Sequence, residues 1–167
     1  MSGIRVRTSG ELRAQRRRRP PRCLGHLTVA PLWPMHGVNL GTLLRTCDAA
    51  GACMAVPRLP WVPEALARGN TLRAGACVHW VKPLPWLASR RERVLGVELA
   101  ENAIRLADLP MAREPTVVVL GHEATGIPGE ALDLLDAVVE IPMIGTGASL
   151  NVAVAGSLVL YKLAGLA

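Results

Sequence analysis

The stretch "EIPMIGTGASLNVAVAGSLVLYKLAGLA", residues 140–167, closes the chain and carries most of the decision about its fold. An apolar strand breaks at Pro142, a loop with Gly145 and Gly147 follows, and a mostly apolar helix is entered through Ser149, Leu150 and Asn151. Ser and Asn suit helix starts because their side-chain oxygens accept backbone N–H groups that have no partner there. Ser149 is therefore expected to cap a helix over 149–166. The competing expectation is that these polar residues face a small-molecule pocket.

Upstream, short apolar runs alternate with helical patterns. Strands are predicted at "CLGHLTVA" (23–30), "CMAV", "ACVHWV", "RVLGVEL" and "AVVEIP". "TVVVLG" (116–121) is an unbroken β-branched run, as expected of a central strand covered on both faces. Between them, "VNLGTLLRTCDAAG" (38–51) reads as a helix with Leu40, Leu43, Leu44 and Cys47 on one face and Gly51 at its end. Shorter helices are predicted at "PEALARG", "LPWLASRRE" and "PGEALDLL". The alternation indicates an α/β fold with an open parallel sheet.

The bulk numbers fit one such domain. Of 167 residues, 50% are apolar and 19% charged; Phe is absent, Tyr occurs once and Trp four times, so Leu, Val, Ile and Ala must build the core. The net charge of +6 is unevenly placed: residues 1–22 hold eight arginines against Glu11, which leaves the domain at 23–167 near −1. The basic segment reads as a flexible arm attracted to polyanions. Cys23, Cys47, Cys53 and Cys77 form no C-x-x-C pair and the four histidines are scattered, so no metal is expected and the cysteines read as buried thiols of a reducing cytosol. The C-terminal apolar run is interrupted by Asn151, Ser157 and Lys162, which suits a core helix better than a membrane span. A soluble, cytoplasmic protein is expected.

Open α/β sheets bind ligands at the carboxyl ends of their strands. Three such ends are rich in functional groups: "NLGTLLRT", with Asn39 and Arg45; "LGHEATGIPGE", with Gly121, Glu123 and Gly126; and "IPMIGTGASLN". The dinucleotide fingerprint G-x-G-x-x-G and the phosphate loop G-x-x-x-x-G-K-[ST] are absent. Taken singly, Asn39 reads as a helix cap, Arg45 as a solvated charge, and Glu123 as a turn residue.

Taken in order, "NLGTLLRTCDAAG", "VVVLGHEATGIP" and "VEIPMIGTGASLNVAVAGSLVLYKL" resemble the three motifs of the SpoU/TrmH family of RNA 2′-O-ribose methyltransferases. "NTLRAGACVHW" (70–80) is similar to the segment that family carries between its first two motifs. The resemblance covers about residues 24–167. It implies a SPOUT fold, in which an open parallel sheet ends in a deep C-terminal trefoil knot, an exception to the usual absence of knots. It further implies S-adenosylmethionine bound in that knot, and a homodimer. On this resemblance Gly145 and Gly147 bend the chain around the cofactor. Gly121, Ile141 and Leu150 match the cofactor-binding positions, with Glu98 near another cofactor-side loop. Asn39, Arg45, Glu123, Ser149 and Asn151 match the catalytic set.

Methyl transfer from a sulfonium needs the 2′-oxygen in line and its proton drawn off. Arg45 is expected to hold and activate the ribose–phosphate, its role as base left open because a guanidinium does not ordinarily deprotonate. Glu123 and Asn39 are expected to orient Arg45, and Ser149 and Asn151 to order the loops. With no additional RNA-binding module beyond the arm, recognition by shape and phosphate across both subunits is expected, favouring tRNA over rRNA. The alternatives are an rRNA 2′-O-methyltransferase, a non-catalytic RNA-binding homologue, and a flavodoxin-like nucleotide-binding regulator.

Overall fold

The computed structural model describes residues 4–16, 26–69 and 76–167. In chain order the elements are α1 (Ser9–Arg16), β1 (Leu27–Pro31), α2 (Gly37–Ala50), β2 (Cys53–Pro57), α3 (Val62–Gly69), β3 (Val78–Val81), α4 (Pro83–Ala88), β4 (Arg93–Val97), β5 (Ile104–Arg105), β6 (Thr116–Leu120), α5 (Gly129–Leu132), β7 (Ala137–Glu140) and α6 (Val152–Leu163). The strands form one sheet in the order β3-β2-β1-β6-β4-β7-β5, every pair parallel. The open parallel α/β sheet read from the alternation is therefore present, with β5 an addition: two residues are too few to leave a pattern in sequence.

The run at β6 behaves as its composition requires. Side chains alternate across a strand, so Val118 and Leu120 enter the cluster under α2 and α6, whereas Val117 and Val119 enter the one on the other face with Leu87 of α4 and Ala131 of α5. All five β6 residues are buried, between β1 and β4. Leu40, Leu43, Leu44 and Cys47 form the buried stripe of α2, and Gly51 closes the helix in the left-handed conformation at φ 72°. Burial pushes the Cys47 thiol up to about 12, with the Asp48 charge adding to the shift.

Three local expectations need correction. First, α6 starts at Val152, so Ser149 is not its cap. Asn151 is, its side-chain oxygen accepting from the backbone N–H of Ala153 at 2.9 Å and of Val154 at 3.3 Å. Second, Asn39 lies inside α2, whose cap position is His36. Third, Cys53 and Cys77 are joined in a disulfide, because the parallel pairing of β2 with β3 brings them side by side with Cα atoms 4.8 Å apart. Within the arm, a short helix is an addition to the sequence reading. Thr8 and Glu11 form a capping box, with Thr8 N–H donating to the carboxylate at 2.8 Å and Glu11 N–H to the threonine hydroxyl at 3.3 Å, and this starts α1. Residues 1–3, 17–25 and 70–75 lie outside the described residues, and with them the rest of the arm, the beginning of the predicted first strand, and much of the segment between the first two motifs. Among the described residues no helix is long and apolar enough to cross a membrane.

Candidate active site

In a parallel sheet every strand's carboxyl end lies on one edge. Here β1, β4, β6 and β7 are neighbours, and the segments leaving them enclose a cleft of about 650 Å³. Eight of the nine residues assigned from the resemblance line it: Asn39, Glu98, Gly121, Glu123, Ile141, Ser149, Leu150 and Asn151. The three motifs, up to 112 residues apart, thus converge on one place.

A hydrogen-bond chain ties them together. The Glu123 carboxylate accepts from the backbone N–H of Met35 at 2.7 Å, the backbone N–H of His36 at 3.1 Å and the side-chain amide of Asn39 at 2.9 Å. The Asn39 carbonyl oxygen accepts from the Asn151 amide at 2.9 Å, and Asn151 caps α6. Asn39 is only 5% exposed, so both of its polar ends need these partners. Partial burial pushes the Glu123 carboxyl up, but the hydrogen bonds from Asn39, Met35 and His36 outweigh it and hold its pKa below the ordinary value. The carboxylate also faces the first turn of α2, where negative charge is favoured.

The second motif forms a tight loop. His122 and Gly126 exchange backbone hydrogen bonds of 2.9 and 2.8 Å, which requires Gly126 to adopt φ 72°. Gly121 lies so close to this loop that a β-carbon there would meet the backbone of Gly126 and Ile127. Glu98, just past the end of β4, secures the same loop, its carboxylate accepting from Ile127 N–H at 3.2 Å. These contacts explain both residues independently of any ligand. By contrast, Gly145 and Gly147 have no positive φ, do not line the cleft, and a β-carbon on Gly145 would meet open space. Neither glycine has a backbone conformation that only glycine adopts.

Arg45 stands apart. It does not line the cleft, its side chain is 43% exposed, and Asp48 at 3.9 Å is its ion partner. The reason is helical geometry: six residues correspond to about one and two-thirds turns. Asn39 therefore lies on the buried stripe, while Arg45 shares an exposed stripe with Val38 and Thr42. The expectation that Glu123 and Asn39 orient Arg45 within one chain is not met. Conversely, His36 and His122, read as scattered histidines, both line the cleft. The signal for them was their position, His36 just before the first motif and His122 inside the second.

The cleft walls suit S-adenosylmethionine. Its volume lies in the usual range for small-molecule sites, and Val97, Leu99, Ile141, Leu150 and Val152 give it apolar sides. Metal ligands gather elsewhere: Cys53, Cys77 and His79 bring ligand atoms within 4.8 Å of one another, but the two sulfurs are bonded together rather than free as thiolates.

The model of the SpoU rRNA Methylase family matches residues 27–161. The tRNA (guanosine(18)-2′-O)-methyltransferase of Escherichia coli K12 is 33% identical over 133 residues, 74% of this chain and 56% of that protein. The 23S rRNA (guanosine(2553)-2′-O)-methyltransferase of Bacillus subtilis 168 is 33% identical over 136 residues, 76% of this chain and 53% of that protein. The chain thus spans about half the length of these curated relatives. An AdoMet-bound rRNA methyltransferase from Sinorhizobium meliloti superposes with a TM-score of 0.68 at 25% identity, over 86% of this chain and 57% of that one.

Proposed function

The chain belongs to the SpoU rRNA methylase family, and we propose that it is an S-adenosylmethionine-dependent RNA 2′-O-ribose methyltransferase acting on tRNA. The observation that carries this reading is the convergence of Glu123, Asn39 and Asn151 on one hydrogen-bonded chain at the rim of an apolar-walled cleft. The bound cofactor supplies an electrophilic methyl group on a sulfonium. The segments around Gly121, Ile141 and Leu150, with Glu98 bracing the loop opposite, would hold it. The loop between β7 and α6 would be the knotted part of a deep trefoil knot.

Glu123 is a positioning residue in this scheme. Its carboxylate already receives three hydrogen bonds and its pKa is held down, so it is poorly suited to take the ribose proton. With Asn39 and Asn151 it locks the start of α2 to the start of α6, which fixes the cleft walls. The Ser149 side chain, on the exposed part of that wall, is available to an incoming ribose. Arg45 would anchor the ribose–phosphate by its guanidinium.

Because Arg45 lies outside the cleft of its own chain, the reading calls for a homodimer in which it reaches the partner's cleft. Exposed apolar side chains support that surface: Val38 on the Arg45 stripe of α2, and Val154 and Leu158 on α6, which packs against α2. The arginine-rich arm would add phosphate contacts, and the cytoplasm would be the place of action.

The test pairs binding with turnover. Calorimetry with S-adenosylhomocysteine should show binding by the wild type and by Arg45→Ala alike. Single-turnover methylation of unmodified bulk tRNA should be lost in Arg45→Ala and nearly lost in Arg45→Lys, which lacks the planar fork. A wild-type protein that binds neither the cofactor nor its demethylated product overturns the reading.

A further inference from the structure

The carboxyl edge that carries the cleft continues past it. Beyond β1 the next strands are β2 and β3, and the chain leaving β2, "RLPW" (58–61), meets the end of β3 at Trp80. The Arg58 guanidinium stands 5.2 Å from the centre of the Trp80 ring, within cation–π range. Trp61 and Trp80 are 36% and 37% exposed, in a domain whose other two tryptophans, Trp33 and Trp86, are packed against the core. Two of only five aromatic residues in the chain are therefore exposed along one stretch of the ligand-binding edge.

The patch is built rather than loose. Leu59 N–H bonds Pro57 carbonyl at 3.0 Å, Val62 N–H bonds Leu59 carbonyl at 3.1 Å, and Ala65 N–H bonds Trp61 carbonyl at 3.1 Å. Pro57 and Pro60 flank the turn and restrict its backbone. The patch also abuts the cleft: the Trp61 ring edge lies 3.6 Å from where a β-carbon on Gly37 would be, and the preceding residue, His36, lines the cleft. Its charge is positive. Arg58 and Lys82 are exposed and carry no ion pair among the described residues, while the acid nearest Arg58 in sequence, Glu64, is paired with Arg68.

We propose that Trp61 and the Arg58–Trp80 pair form a stacking site for an unpaired nucleobase of the RNA substrate, flanking the ribose held in the cleft. Neighbouring strands are about 4.8 Å apart, so β2 and β3 lie roughly 10–15 Å along the edge from β6, a reach of a few nucleotides. Unpaired bases are recognised by stacking on aromatic rings and guanidinium planes, and a cation beside the ring serves the phosphate of the same nucleotide. The site selects single-stranded or splayed nucleotides over duplex. The inference rests on the RNA-methyltransferase reading for its substrate but is tested without methyl transfer.

The experiment uses the full chain and two probes, a decauridylate and a perfect RNA duplex of equal length, with affinities read by anisotropy and stacking by tryptophan fluorescence. Decauridylate should quench the wild-type emission. Trp61→Ala and Trp80→Ala should each weaken its binding by about fivefold or more, leaving duplex affinity unchanged. Trp61→Phe should restore most of the loss, and Arg58→Ala should reduce the salt dependence of decauridylate binding by about 0.7 of a unit of slope. Circular dichroism and S-adenosylhomocysteine titration on each variant separate lost folding, or failure of the cofactor reading, from loss of stacking. Unchanged decauridylate affinity in folded Trp61→Ala and Trp80→Ala, equal losses in Trp61→Phe and Trp61→Ala, or equal losses for duplex and single strand would each overturn the proposal.

Discussion

Replacing Glu123 by Gln keeps the side chain's size and removes its charge and one of its two acceptor oxygens. In the wild type those oxygens serve three donors, one oxygen taking Met35 N–H and the other taking both His36 N–H and the Asn39 amide. Asn39 is buried and Met35 is exposed. A glutamine will therefore keep its carbonyl on His36 and Asn39 and leave its amide facing Met35 N–H, donor to donor. The loss is one charge-assisted hydrogen bond, about 1.5–3 kcal/mol, together with about 0.3–1 kcal/mol for a negative charge removed from the start of α2. A destabilisation of about 2–4 kcal/mol follows at pH 7, or roughly 4–15 °C in melting temperature for a domain of this size.

The pH dependence makes the argument sharper. The Glu123 pKa is held below the ordinary carboxyl value of 4.5. A group depressed in the folded state contributes stability above its unfolded value, and that contribution is lost as pH falls through the folded one. The gap between wild type and Glu123→Gln should thus be full at pH 7, begin to close below about 4.5 and narrow further as the native carboxyl takes a proton, since a protonated Glu and a Gln are near equivalents here. Urea titrations of both proteins from pH 7 downward measure it. A gap that is absent at pH 7, or that stays constant into the acid range, refutes the assignment of this network as what holds the cleft.

Asn151→Ala should cost about 1 kcal/mol for the lost cap and about 1–3 kcal/mol more for leaving the buried Asn39 oxygen unpartnered; Asn151→Ser, which keeps a capping oxygen and is too short to keep the link, should fall between it and wild type in the same urea titrations. Gly121→Ala should destabilise the domain by about 1–3 kcal/mol, because its methyl group meets the Gly126–Ile127 backbone, whereas Gly145→Ala should stay within about 0.5 kcal/mol of wild type; thermal melts of the two distinguish a structural glycine from a dispensable one. Reducing the Cys53–Cys77 disulfide should add two titratable thiols in denaturant and lower stability by about 3 kcal/mol, given its sequence separation of 24; an unchanged thiol count would show that the pair is open.

Local pattern determined the elements of this protein. A strand buried on both faces must be apolar at every position, as 116–120 is, and a helix covering a sheet must repeat its apolar residues at turn spacing, as Leu40, Leu43, Leu44 and Cys47 do. The motifs likewise named the residues of the cleft, because loops leaving parallel strands share one edge whatever their distance in sequence. What the pattern could not determine depends on direction and partnership. Which polar residue caps α6 was decided by Asn151 having Asn39 opposite it, a partner 112 residues away. That Arg45 turns from the cleft follows from the angle between two positions on α2 that spacing alone placed together. The Cys53–Cys77 bond required the register of β2 against β3, and the exposed tryptophans required knowing which strand ends stand beside the cleft. Periodicity is written along the chain, whereas hydrogen-bond partners, facing directions and neighbouring edges exist only once the sheet order has brought distant segments into contact.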